Sequence, residues 1–225
     1  MTFSLVGRCK RTGIIGAVIA SSSPAVAARC IWARPRVGGV CSQNVTDPTL
    51  REALLDRLEA GETASAALAS VVAKARHIAF RQLAVVDAEG RAATHTGERA
   101  LGRHADTTAD ACAAAGNLLA DEAVVLAMAS RFVLMERAPI GDRLVAALRA
   151  GRDAGGEEGP IHSAGLLVVD TVPWPVADLR VDWTDEDPVE DLARLWERWK
   201  PLADDYVRRA LRPEAAPRFG VAGDI

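Results

Sequence analysis

The chain has 225 residues, 49% of them hydrophobic and 25% charged, with a formal net charge of −3. That mixture describes a soluble globular domain with a sizeable core and excludes a disordered chain. A near-neutral balance without dense basic runs argues against nucleic acid as the main partner, and apolar runs of only strand length fall short of the roughly 18 residues that a membrane-crossing helix needs, so no membrane partner is expected.

The chain begins Met1-Thr2-Phe3-Ser4-Leu5-Val6-Gly7-Arg8, whose alternating apolar residues predict a strand over 2–8. Cys9-Lys10-Arg11-Thr12-Gly13 reads as a turn and Ile14 to Ala20 as the returning strand of a β-hairpin. The same region has a second reading. Charges at Arg8, Lys10 and Arg11, the apolar run over 14–20 and Ala25-Val26-Ala27 approximate a signal peptide with its cleavage motif. Gly13 and Gly16 interrupt the hydrophobic helix that such a peptide needs, which favours the hairpin. The second residue carries chemistry of its own. Removal of Met1 would leave Thr2 with a free α-amine of pKa about 8 beside its hydroxyl, so the residue would supply both nucleophile and general base.

Val37 to Asn44 reads as a buried third strand, and Asp47-Pro48 opens a helix as N-cap and first helical residue. Leu50, Leu54, Leu55 and Leu58 form its apolar stripe and Gly61 its stop. A second helix is expected from Thr63 to about Lys74. Phe80–Asp87 and Ala92–Thr96 form another hairpin around Glu89-Gly90. A short strand over 110–116 precedes helical patterns over about 122–133 and 142–150, joined through Pro139 and Gly141, with Gly151 ending the second. The glycine-rich stretch 154–160 is either a surface loop or the edge of a site. Strands over 166–170 and 178–183 follow as antiparallel partners. Asp187-Pro188 then starts the last long helix, with Leu192, Leu195, Trp196 and Trp199 on its inner side, before Pro201 and a final helix to about Leu211.

One domain is expected over 1–212, with a tail over 213–225 that is poorly ordered or packed on a neighbouring subunit. The order of hairpins and helix pairs is not an alternating βαβ pattern. It predicts an α+β fold in which two antiparallel sheets pack face to face between helices, a four-layer αββα sandwich. No GxGxxG, P-loop, HExxH or GxSxG occurs. Cys9, Cys30, Cys41 and Cys112 lack CxxC spacing and a histidine cluster, so no metal or other cofactor is expected and buried free thiols in the cytoplasm fit best. Trp174, Trp196 and Trp199 suggest a sealed core or subunit contact, and a homo-oligomer is expected.

Several motifs recur in a fixed order: the Thr2 hairpin, Arg81-Gln82 before Val85-Val86-Asp87, Gly116-Asn117, Ala150-Gly151 with Ala154-Gly155-Gly156, Ser163-Ala164, and Asp178-Leu179-Arg180-Val181-Asp182. Over residues 2 to about 195 the chain resembles the domain-of-unknown-function family 1028, which is similar to the N-terminal nucleophile (Ntn) hydrolases. The resemblance implies an αββα sandwich and hydrolysis of an amide or related C–N bond, without implying a substrate; a small amide-type compound is the expected partner because the sequence has no extended peptide- or polymer-binding composition. Thr2 would attack the carbonyl, and Asn117 is either an oxyanion donor or a turn residue. Ser21 and Ser22 lie just beyond the second strand and would orient the α-amine or substrate. The family pattern has Ala-Ser-Arg at this place, so the chain lacks a positive charge there. Gln43 and Asn44, at the end of the third strand, would line the same cleft. His162 stands where the family pattern has glutamine and is expected to bear on substrate choice or to be structural. Asp182 would bind a substrate donor or pair with Arg81 or Arg180, and Arg81 is itself a candidate substrate contact.

Overall fold

The computed structural model describes residues 1–218. Ten strands form two antiparallel sheets. The first has the order β10-β9-β2-β1-β8-β7 and the second β3-β4-β5-β6. β1 (Thr2–Arg8) and β2 (Ile15–Ser21) form the predicted hairpin at the centre of the first sheet, where β8 (Cys112–Asn117) flanks β1 on its other side. β9 (Ser163–Val169) pairs with β2 and β10 (Pro175–Val181), and β7 (Ala105–Ala109) closes the opposite edge. The second sheet holds β3 (Ile31–Arg34), β4 (Gly38–Asn44), β5 (Arg81–Asp87) and β6 (Ala92–Thr96).

The two-residue period of a strand decides the layers. In β1, Phe3 and Leu5 point outward onto α4 (Ala123–Leu134), α5 (Ile140–Asp153) and α6 (Pro188–Trp199), where Met128, Phe132, Leu144, Leu148 and Trp196 complete a buried cluster. Val6 points the other way and meets Ile15, Ala17, Ile19, Cys41, Ala84 and Val86 between the sheets. On the far side of the second sheet, Val40, Leu83 and Val85 pack against α2 (Thr49–Glu59) and α3 (Ala64–Val72), using the predicted Leu50, Leu54, Leu55 and Leu58 stripe. The result is the expected αββα sandwich. Each large side chain buried in it contributes on the order of 1.5–3 kcal/mol. The alanines of β8 keep that strand thin where the sheets approach each other.

Three short elements depart from the sequence reading. α1 (Val26–Cys30) covers the Ala-Val-Ala segment and buries Val26, Ala27 and Cys30 between the sheets. β3 has four residues and β7 is an edge strand with exposed Asp106 and Thr108, so neither carries a clear apolar period. Gly141 and Gly151 lie inside α5 rather than bounding it. A Cβ at Gly141 would come 2.2 Å from Trp196 and one at Gly151 2.7 Å from Met128, so both glycines permit close packing and neither stops the helix. β9 and β10 each begin about three residues early. Pro175 opens β10, an edge strand that needs no donor there. The Asp187 carboxylate caps α6 as expected, accepting from Val189 and Glu190 N–H. α7 (Ala203–Leu211) follows, and of the proposed tail, residues 219–225 lie outside the described residues. Among the described residues no helix is long and apolar enough to cross a membrane.

Candidate functional site

The space between the sheets is apolar except at one end. There Thr2, Ser4, Ser21, Gln43, Gln82, Asn117 and Ser163 converge, each no more than 6% exposed. Strand register assembles them. Thr2 pairs with Asn117, Ser21 with Ser163 and Gln43 with Gln82. The strand period then turns all of these side chains into the same gap.

Thr2 is the first residue of β1, and its Oγ1 lies 3.2 Å from Ser21 Oγ. Both hydroxyls donate to the carbonyl oxygen of Met1. Ser21 Oγ is also 2.9 Å from Ser23 Oγ and accepts from Ser23 N–H at 3.1 Å. Ser163 Oγ donates to Ser23 O at 2.6 Å and so fixes the chain as it leaves β2. Below this hydroxyl group runs a chain of amides. Ser4 donates to Gln43 Oε1 at 2.6 Å, and Gln43 Nε2 donates to Gln82 Oε1 at 2.9 Å. Asn117 Nδ2 donates to the same oxygen at 3.2 Å. Gln82 Nε2 in turn faces Gly116 O, Thr96 Oγ1 and Ala105 O at 2.9, 3.0 and 3.2 Å. Buried polar groups persist only when paired, and this network pairs them across both sheets.

An acid completes the site. Glu157, 5% exposed, accepts from Ser22 N–H at 3.1 Å through Oε2, while its buried Oε1 has no hydrogen-bond partner among the described residues. Burial pushes its pKa up to about 7, against the pull of the positive Met1 α-amino group and the Ser22 N–H. A bridge from Leu119 to Glu157, with Glu158 N–H on Leu118 O and Ala120 N–H on Gly156 O, ties the loop to the chain leaving Asn117. Gly155 and Gly156 have φ of 116° and 59°, which glycine adopts without strain.

The family described as "Family of unknown function (DUF1028)" matches residues 2–192. The chain belongs to that family. Among solved structures it is similar to the crystal structure of a DUF1028 protein from Silicibacter pomeroyi, at 30% identity and a TM-score of 0.84, over 92% of this chain and 90% of that one. Anbu (ancestral beta-subunit) from Yersinia bercovieri matches at 10% identity and a TM-score of 0.39, over 92% of this chain and 97% of that one. Anbu from a Hyphomicrobium strain matches at 13% and 0.38, over 92% and 98%. No curated protein matches the chain.

For this DUF1028 member, the structure gathers Thr2, Asn117, Ser21 and Gln43 and leaves other candidates outside. Asn44 has φ 71° and faces away from Gln43. Its amide donates to Phe80 O at 2.6 Å and accepts from Leu101 N–H at 3.2 Å, tying loops together. Arg81, paired with Asn44 in register, donates to Val45 O. Alternation forbids neighbouring strand residues from lining one cleft, so Asn44 and Arg81 are separated from Gln43 and Gln82. Ser22 contributes its backbone N–H to Glu157. His162 sits at the rim, where its N–H donates to Ser21 O; its ring stacks on Trp183 at 4.2 Å and meets Thr184 O at 2.8 Å. Asp182 is exposed and gives only its backbone oxygen, to Ala25 N–H. The expected ion pairs with Arg81 or Arg180 do not form, because Arg180 pairs with Asp178 at 2.7 Å. A cation approaches from an unforeseen place: Arg29 of α1 donates to Ser23 Oγ at 3.2 Å. Sequence reasoning also missed Gln82 and Glu157. Gln82 is the polar residue on the Gln82, Ala84, Val86 face of β5, and that break in an apolar face is its signal. Glu157 has no such signal beyond its flanking glycines.

Proposed function

We propose that the protein is an Ntn-type amidohydrolase that cleaves a C–N bond of a small amide, imide or ureido compound, with Thr2 as nucleophile after removal of Met1. One observation carries the reading. The hydroxyl of Thr2 is buried at the end of the central strand, bonded to Ser21 and opposite Asn117, where a reacting carbonyl would meet several donors. The α-amine would take the Oγ1 proton as Oγ1 attacks the carbonyl carbon. Asn117, paired with Thr2 in register and held through its Nδ2 by Gln82, would steady the oxyanion. Collapse would expel the nitrogen, protonated by the α-ammonium, and water activated by the amine would hydrolyse the Thr2 ester. The proposed setting is the cytoplasm, where the four buried unpaired cysteines stay reduced, and the proposed assembly is a homo-oligomer. Cleavage after Ala27 would delete both central strands of the first sheet, which weighs against the export reading.

The test is Thr2→Ala against Thr2→Ser, with loss of Met1 verified by intact mass. Thr2→Ala is expected to lower turnover of any amide substrate by at least about 10³-fold while the fold persists, and Thr2→Ser to retain activity. Full activity in Thr2→Ala would refute the mechanism. A second reading, a catalytically silent ligand-binding protein, has one observation in its favour. A cavity of about 940 Å³ opens at the far end of β1, lined by Cys9, Arg11, Thr12, Trp196, Lys200 and Arg208, and none of the residues around Thr2 borders it. Cavity size and chemistry therefore point to opposite ends of the molecule. The polar network favours the Thr2 end, because a buried hydroxyl and an unpaired acid there have no packing purpose.

A further inference from the structure

Met1 is itself an acyl group bearing an amine, seated beside the proposed nucleophile. Its carbonyl oxygen accepts from both Thr2 Oγ1 and Ser21 Oγ. Its side chain lies against Gly159, where an added Cβ would come 2.9 Å from the Met1 terminal methyl. Its positive α-amino group is close enough to favour the ionised form of Glu157. The methionyl amide on Thr2 nitrogen and a methionyl ester on Thr2 Oγ1 are isomers related by an N-to-O acyl shift. In that shift Oγ1 bonds the carbonyl carbon through a five-membered ring, the C–N bond breaks, and the hydroxyl proton passes to nitrogen. An acyl group held as the ester would therefore occupy nearly the space that Met1 fills, with its amine toward Glu157.

Resting on the reading of Thr2 as nucleophile, we propose that the site takes an α-aminoacyl substrate, an acyl group carrying a protonated amine next to the scissile carbonyl, and that Glu157 recognises this ammonium. The unpartnered Oε1, buried and fixed by the Leu119 bridge and the Ser22 N–H, is a preset acceptor for a charged donor. Gly155, Gly156 and Gly159 let the loop that carries Glu157 approach closely, and the void of side chain at Gly159 receives the substrate's own side chain.

The experiment uses protein whose loss of Met1 is verified by mass, as wild type, Glu157→Gln, Thr2→Ala, and Thr2→Ala with Glu157→Gln. The probes are L-methioninamide and N-acetyl-L-methioninamide, with binding read by calorimetry on the Thr2→Ala proteins and hydrolysis read on wild type, Glu157→Gln and Thr2→Ala. The free amine is expected to bind at least tenfold more tightly than its acetylated form, and Glu157→Gln to remove that preference without altering the acetylated ligand. Equal binding of the two probes, no binding of either, an unchanged preference in Glu157→Gln, or retention of Met1 in the mature protein overturns the proposal. An equal fall in kcat for both probes in Glu157→Gln, with KM unmoved, overturns it too and assigns Glu157 to the Thr2 amine. Thr2-dependent hydrolysis of the acetylated amide alone would sink the aminoacyl proposal and spare the nucleophile. Glu157-dependent binding of the free amine without Thr2-dependent hydrolysis would do the reverse.

Discussion

Replacing Gln82 by methionine tests whether the amide chain between the sheets carries stability as well as geometry. The two side chains have similar volume, so the cavity contribution is small and the cost comes from stranded polar groups. Gln43 Nε2 and Asn117 Nδ2 lose their shared acceptor, and Gly116 O loses its side-chain donor, all in a region closed to water. Thr96 retains Asp106 as a partner and lies nearer the surface, so it adds little. At about 1–3 kcal/mol for each buried donor left unpaired, with some return from burying the thioether, Gln82→Met should destabilise the fold by about 3–5 kcal/mol. That is a large share of the 5–15 kcal/mol typical of a whole domain. Urea unfolding followed by tryptophan fluorescence measures it, with the denaturant dependence expected to stay unchanged. A loss below about 1 kcal/mol would refute the reasoning, since the network would then be idle or rearranged by water.

Glu157 should give stability a pH dependence of definite sign. Its folded pKa is raised to about 7 from an ordinary 4.5, so the folded state holds the proton longer and stability falls as pH rises between those values and levels off above them. Glu157→Gln is therefore expected to gain up to roughly 3 kcal/mol over wild type at pH 8 and nothing at pH 4, read from thermal melts, and an equal effect at both pH values would rule out a buried carboxyl. Gly7→Ala would drive a methyl to 2.4 Å from the ring of Phe132, which is fully buried and held under the Arg143 guanidinium at 3.8 Å. A destabilisation of about 1–3 kcal/mol in urea unfolding follows, and a neutral result would show that the ring can move aside.

The parts of the site that the chain makes legible are those that rest on strand period and local turns. Thr2, Ser21 and Asn117 sit at strand ends, and hairpin pairing alone brings the first two together. Gln43 and Asn44 look alike as sequence neighbours, yet alternation sends one into the gap and the other to the loops. Choosing between them requires knowing which face of β4 meets the other sheet. Gln82 joins the network only because β5 crosses behind β1 and β8, a relation set by sheet packing rather than by any local pattern. Glu157 lies forty residues beyond Asn117 in a loop whose composition reads as surface. Its position follows from the bridge to Leu119 and the backbone bonds beside it, and no periodicity announces such contacts. The same limit explains β7, where exposed Asp106 and Thr108 flank half-buried Thr107 along an edge that a sequence pattern does not mark.

β1 is bounded by β2 and β8 at its two edges and by helices and the second sheet at its two faces, and residues 2–7 are all buried. Its backbone amides have no local route to solvent, so they should exchange with deuterium only when the whole fold opens, while those of β10 at the sheet edge and of α7, which buries no residue, exchange by fraying. Thr2 thus stands at the end of the segment expected to exchange most slowly among the described residues. On the reading proposed above, the nucleophile would therefore stand on a segment that does not open locally.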